Sequence, residues 1–196
     1  MKIGVLALQG AVEEHRVSLG RAGAESMPIK RVEELQTVDG LIIPGGESTT
    51  IGKLMRKYGF IEAIRDYAAQ GRPVFGTCAG LIVMAKRIDG GEPAHLELMD
   101  MTVSRNAFGR QRESFECDLE VKGIDEPVRA VFIRAPLISE VGPEVEVLST
   151  YRDEIVTARQ GHLLAASYHP ELTDDYRLHQ YFADMVESSR PAGSIV

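Results

Sequence analysis

Short apolar runs alternate with helix-period segments through the first half of the chain. Residues 2–8 form an apolar run of strand length. Over residues 11–22, Val12, His15, Leu19 and Ala22 recur at helical spacing. Gly23 follows as a residue that accepts positive φ and so closes a helix. Strand-like runs come next at 24–29 and 40–43, the second ended by Pro44, Gly45 and Gly46. Two helical stretches, 50–57 and 61–70, are separated by Gly59, and Gly71-Arg72-Pro73 turns the chain into a buried-type strand at 74–77. A helix is expected over 79–87. This order predicts a parallel sheet covered by helices on both faces.

The second half changes period. Residues 99–104, 114–121, 128–133, 145–151, 155–160 and 163–168 read as strands with little helix between them. Phe115, Cys117, Leu119 and Val121 alternate with Glu116, Asp118 and Glu120, the pattern of a half-buried antiparallel strand. A last helix is expected over 174–188. The expectation is one α/β domain over 1–189 whose central sheet is mixed, with a frayed tail at 190–196.

Composition narrows the function classes. A chain of 196 residues that is 44% hydrophobic and 26% charged has the make-up of one globular domain. Lys+Arg 22 against Asp+Glu 29 leaves a formal charge of −7, which argues against nucleic acid, whose phosphates need clustered cations. The N-terminal apolar run is too short to span a membrane and has no small-residue cleavage site behind it. No membrane association is expected, and the protein reads as cytoplasmic. Cys78 and Cys117 are the only cysteines and form no CxxC pair, and a core of this size needs no disulfide. His162 and His169 lack the spacing of common metal pairs, so no metal is expected.

Three motifs carry chemistry. Gly76-Thr77-Cys78-Ala79-Gly80 lies between a strand and a helix. A nucleophile at such an apex needs strained backbone angles, and the flanking glycines remove the Cβ atoms that would block close packing. The helix that follows favours the thiolate and leaves the Ala79 N–H free to receive an oxyanion. A buried structural cysteine remains the alternative from this pentamer alone. Tyr168-His169-Pro170-Glu171-Leu172 follows an apolar strand. Proline keeps His169 extended, and residues i and i+2 of an extended segment share a side, so Glu171 is expected to orient the imidazole. His15, His95, His162 and His179 have no such company and read as structural. Pro44-Gly45-Gly46-Glu47-Ser48-Thr49-Thr50 leaves the third strand, where α/β proteins bind ligands. Its glycines free an N–H for a substrate carbonyl, and its hydroxyls offer a helix N-cap. The loop lacks the Gly-Lys-Ser/Thr ending of a phosphate-binding loop.

Together these motifs resemble the class I (triad) glutamine amidotransferase family across nearly the whole chain. Within it the resemblance is strongest to glutaminase subunits of pyridoxal 5′-phosphate synthases. It rests on Leu8-Gln9-Gly10, the 44–50 loop, the elbow, the 105–116 stretch, Phe132-Ile133-Arg134-Ala135-Pro136 and His169-Pro170-Glu171-Leu172-Thr173. The resemblance implies a flavodoxin-like three-layer fold, glutamine hydrolysis without a cofactor, and a Cys78, His169, Glu171 triad. It further implies an oxyanion site at Gly46 and Ala79, and substrate contacts from Gly46, Glu47, Ser48, Arg105, Ile133 and Arg134. The implied partner is a (β/α)8 pyridoxal 5′-phosphate synthase subunit that uses the ammonia. The loop at Gln9 and Gly10 and the face around residues 105–112 are the expected docking surfaces. The alternatives are a glutaminase serving another acceptor, such as imidazole glycerol phosphate synthesis, a cysteine peptidase or glyoxalase-like enzyme of similar fold, and a non-catalytic binding subunit.

Overall fold

A computed structural model describes residues 1–105 and 114–192; residues 106–113 and 193–196 lie outside the described residues. The first of these gaps takes in most of the 105–116 stretch and of the docking face expected there, and the second takes in the end of the expected tail.

The first-half elements follow the hydrophobic pattern closely. Strands β1 (Lys2–Leu6), β2 (Glu25–Ile29), β3 (Gly40–Ile43) and β4 (Val74–Thr77) alternate with helices α1 (Val12–Arg21), α2 (Ser48–Lys57), α3 (Phe60–Ala69) and α4 (Ala79–Met84). The second half contributes β5 (Ala85–Ile88), β6 (Met99–Ser104), β7 (Ser114–Leu119), β8 (Val128–Ile133), β9 (Leu137–Val141), β10 (Glu146–Tyr151), β11 (Glu154–Gln160), β12 (Leu163–Ala166) and α5 (Arg177–Ser189). Among the described residues, ten strands form one mixed sheet in the order β2-β1-β3-β4-β12-β11-β9-β6-β5, with β10 paired to β11. The first five strands of that order run parallel. Beyond β12 the pairing becomes antiparallel through β11, β9 and β6. The fold is the α/β, flavodoxin-like arrangement expected.

The period of two along each strand sorts side chains onto two cores. Leu6, Leu41, Ile43, Val74, Leu163 and Ala165 face one way and pack against Ile51, Met55, Phe60 and Ile64 of α2 and α3. Ile3, Val5, Ile42, Phe75, Leu164 and Ala166 face the other way, against Leu19 of α1 and Leu178 and Phe182 of α5. Both faces are covered, so these strands are apolar throughout.

Three expectations are corrected. The helix foreseen over 79–87 stops at Met84, because the carbonyls of Val83 and Met84 accept the N–H groups of Leu96 and Leu98, each at 2.9 Å. With those carbonyls occupied, no further helical turn forms, and residues 85–88 pair with β6 instead. Strand β9 was not expected; it is held by antiparallel pairing to β6. Strands β7 and β8 do not join the central sheet but form a separate two-stranded one, with Phe115 stacked on Phe132 at 4.6 Å between ring centroids. Its alternation is as expected, with Leu119 buried and Glu116 and Asp118 reaching Arg129 on the outer face.

The carboxyl ends of β3, β4 and β12 lie level, since Gly76 pairs with both Ile43 and Ala165, and Thr77 with Ala166. Helix α4 starts directly on this edge. It comes so close to β3 that a Cβ on Gly80 would stand 2.0 Å from the Ile43 carbonyl oxygen. That oxygen belongs to backbone held in the sheet and cannot swing away. Gly80→Ala is therefore expected to destabilise the fold by about 3 kcal/mol, the upper end for overpacking. Urea unfolding of the two proteins checks this, and a cost under about 1 kcal/mol would contradict the close approach.

Candidate active site

Cys78 sits between β4 and α4 with φ 50 and ψ −108, a conformation that a side chain adopts only under constraint. Its N–H donates to the Ala166 carbonyl at 2.9 Å, which ties the apex to β12. The apex is buried, and Sγ lies 4.0 Å from the Ile133 carbonyl oxygen at the end of β8.

His169 follows β12, and its N–H donates to the Val131 carbonyl at 2.8 Å, so the small sheet fixes its backbone. It is non-helical, at φ −108 and ψ 86, as a residue before proline should be. The route by which Glu171 reaches it differs from the expected extended alternation. Residues Pro170–Leu172 make one 3-10 turn, and that turn folds the carboxylate back to the ring. Nδ1 of His169 and Oε1 of Glu171 are 2.6 Å apart, with the Glu171 side chain wholly buried. Burial pushes the His169 imidazolium down, but hydrogen bonds to Cys78 and Glu171 and the attraction of both groups outweigh it and lift the ring to about 10.

The loop after β3 closes on this pair. A Cβ on Gly45 would stand 2.6 Å from Cε1 of His169 and 3.3 Å from Cβ of Cys78, so only glycine fits. The Gly45 carbonyl is turned to Gly10 in the loop after β1, where a Cβ would meet it at 1.7 Å. Gln9 in that loop accepts the Glu47 N–H at 2.8 Å. Loops leaving β1 and β3 thus meet where the strand order reverses, the usual crevice of doubly wound sheets.

A cleft of 360 Å³ opens here. It is lined by Gly46, Glu47 and Ser48 from the β3 loop, by Cys78, Ala79 and Ile82 from the elbow, and by Arg105, Arg134 and Pro136. The sequence-predicted residues converge on it, with Ile133 presenting its carbonyl to Sγ and the His169–Glu171 pair behind the sulfur. Arg134 carries a positive φ of 45 where the chain turns off β8.

Two of these residues have further duties in the structure. Glu47, not a hydroxyl residue, is the N-cap of α2: its carboxylate accepts from the Thr49 and Thr50 N–H groups at 3.0 and 2.7 Å and from the Thr50 hydroxyl at 2.6 Å. Those bonds, led by the Thr50 hydroxyl, hold its carboxyl down at about 2. Arg105 donates to the Ser48 and Thr49 hydroxyls and stands 3.8 Å from Glu47 and 3.2 Å from Glu92. Sequence reasoning did not foresee Glu92 here, nor the neighbours of Glu171. His15, read as structural, lies buried next to that carboxylate, and His179, also read as structural, lies buried against His15. Nothing in the local sequence marks either one.

Residues 5–188 match the SNO glutamine amidotransferase family. The pyridoxal 5′-phosphate synthase subunit PdxT of Niallia circulans is 70% identical over 190 residues, covering 97% of this chain and 100% of that protein. The protein of the same description from Halalkalibacterium halodurans is 66% identical, covering 97% of each chain. A crystal structure of a glutamine amidotransferase superposes with a TM-score of 0.90 at 50% identity, over 94% of this chain and 98% of that one. Likeness of this degree along almost the whole chain exceeds what a shared architecture requires, and the chain belongs to the SNO glutamine amidotransferase family.

Proposed function

We propose that the chain hydrolyses L-glutamine to glutamate and ammonia through a thioester on Cys78, and that the ammonia serves a (β/α)8 subunit building pyridoxal 5′-phosphate. One observation carries the chemistry: a buried carboxylate 2.6 Å from the imidazole that is raised by the elbow thiol. The acceptor is supported by relatives 70% and 66% identical to this chain, each a pyridoxal 5′-phosphate synthase subunit.

In the first half-reaction the Cys78 thiolate attacks the side-chain carboxamide carbon of glutamine. The resulting oxyanion is received by backbone N–H groups of Gly46 and Ala79, each such donor being worth about 10²–10³ in rate. His169 gives its proton to the departing nitrogen, the C–N bond breaks and ammonia leaves. In the second, water gives a proton to His169 and attacks the thioester carbon. The C–S bond then breaks, returning the thiolate and releasing glutamate. Glu171 holds the ring through both half-reactions and stabilises its charge whenever it is protonated. Arg105 takes the α-carboxylate, displacing Glu92 from the guanidinium. Glu47, with cap bonds on both oxygens, shares the α-ammonium with backbone carbonyls, and Ser48, Ile133 and Arg134 bound the same cleft.

Among the described residues no helix is long and apolar enough to cross a membrane. Within this proposal the enzyme works in the cytoplasm, its Gln9-Gly10 loop near the docked partner.

Four outcomes test this reading. Cys78→Ala is expected to lower glutamine-dependent ammonia release by about 10⁵-fold, to assay background; turnover by that variant would exclude the thioester. In the same variant the His169 ring, followed by NMR, should titrate below its wild-type value of about 10, because the leading partner that raises it is gone. Arg105→Ala should raise KM about 10–100-fold with a smaller change in kcat, the worth of a charged hydrogen bond. Finally, ammonia release should rise on adding a pyridoxal 5′-phosphate synthase subunit. A rise only with an imidazole glycerol phosphate synthase subunit would favour the other acceptor.

A further inference from the structure

Glu171 has two carboxylate oxygens, and the triad uses one. Oε1 meets His169, whereas Oε2 is buried with no hydrogen-bond partner. A carboxylate oxygen without a donor inside a protein is costly, and a singly held carboxylate can rotate. Nε2 of His15 lies 3.6 Å from Oε2, both side chains being fully buried. The same Nε2 is 3.2 Å from the hydroxyl of Thr77, the residue before Cys78. On the other side of the ring, Nδ1 of His15 is 2.8 Å from Nε2 of His179 on α5.

The proton positions in this chain are constrained by its ends. Burial, and for His15 also the neighbouring His179 and His169, push both rings well below the ordinary histidine range, so each is neutral with one N–H. If His15 carried its proton on Nδ1, its Nε2 lone pair would face the carboxylate, and the His179 proton would sit on an Nδ1 that has no partner. With His179 donating from Nε2, the His15 proton is on Nε2, aimed at Glu171 and Thr77. The contacts of His15 with His179 and Thr77 are then each donor to acceptor, the Nε2–H also faces Oε2 of Glu171 across 3.6 Å, and a lone pair of His179 Nδ1 is left over.

We infer that His15, set in this tautomer by His179, is a positioning residue that holds the second oxygen of Glu171 and ties the carboxylate to the strand bearing the nucleophile. The inference rests on the glutaminase reading above. Through His15, helix α1 keeps Glu171 turned towards His169, and through Thr77 it couples that orientation to the elbow. The role belongs to the chemical step and not to glutamine binding.

The test uses the full chain assembled with a pyridoxal 5′-phosphate synthase subunit. His15→Leu is expected to lower kcat about tenfold or more at little-changed KM, as small misplacements of catalytic groups do. His15→Gln keeps one donor for Glu171 and one acceptor for His179, and should recover kcat to within about threefold of wild type. Equal losses in both variants, a loss borne by KM, or a kcat for His15→Leu within twofold of wild type would each overturn the positioning role. If His15→Leu does not fold, ¹⁵N-histidine NMR of the wild-type chain decides. A proton on Nε2 of neutral His15 is expected, and a proton on Nδ1 sinks the inference. A wild-type complex that releases no ammonia from glutamine would instead overturn the glutaminase reading and this inference with it.

Discussion

To present a thiol above a buried parallel sheet, the chain must turn from strand to helix within a single residue, and here that residue is Cys78. Its backbone sits at φ 50 and ψ −108, a cost of about 1–3 kcal/mol for a residue with a Cβ. The surrounding structure over-determines it. The Cys78 N–H is tied to β12, and Gly80 is pressed against the Ile43 carbonyl of β3. Because the apex is clamped between two strands, everything else in the site is placed relative to it. The β3 loop reaches the sulfur only because Gly45 and Gly10 lack side chains, and the ring of His169 arrives from the end of the strand that clamps the apex.

The small β7–β8 sheet makes sense against that constraint. It buries Phe132 against Phe115, Tyr151 and Tyr168, and in doing so brings the Val131 carbonyl to the His169 N–H and the Ile133 carbonyl to the sulfur. Aromatic packing on one side of the sheet thereby sets polar geometry at its edge. In the same core, α1 and α5 contribute apolar surface together with His15 and His179, of which His15 faces Glu171. One oxygen of that buried carboxylate meets His169 at 2.6 Å, and the other faces Nε2 of His15 on α1 across 3.6 Å.

Electrostatics divides the site into two zones. Behind the sulfur, imidazole and carboxylate are shielded from water, and their mutual attraction raises His169. In front, Arg105 and Glu47 line the cleft, and the Arg105 guanidinium stands between Glu47 and Glu92 as partly exposed ions.

The chain's own pattern determined the parallel half of the sheet, because apolar runs alternating with helix-period segments and glycine-proline punctuation are local signals. It also determined the elbow and the His169-Pro170-Glu171 pair, whose backbone demands are written in neighbouring glycine and proline residues. What only the tertiary structure decided lies where distant segments compete for the same groups. Residues 85–88 look helical by themselves and become strand because loop N–H groups take the last carbonyls of α4. Strand β9 exists through its partners, and the cap of α2 falls to Glu47 although three hydroxyl residues stand beside it. His15 and His179 are 164 residues apart, each an unremarked polar residue on an otherwise ordinary helix. Their contact with each other, and that of His15 with Glu171, arises only when α1 and α5 pack side by side, and no local spacing encodes that meeting.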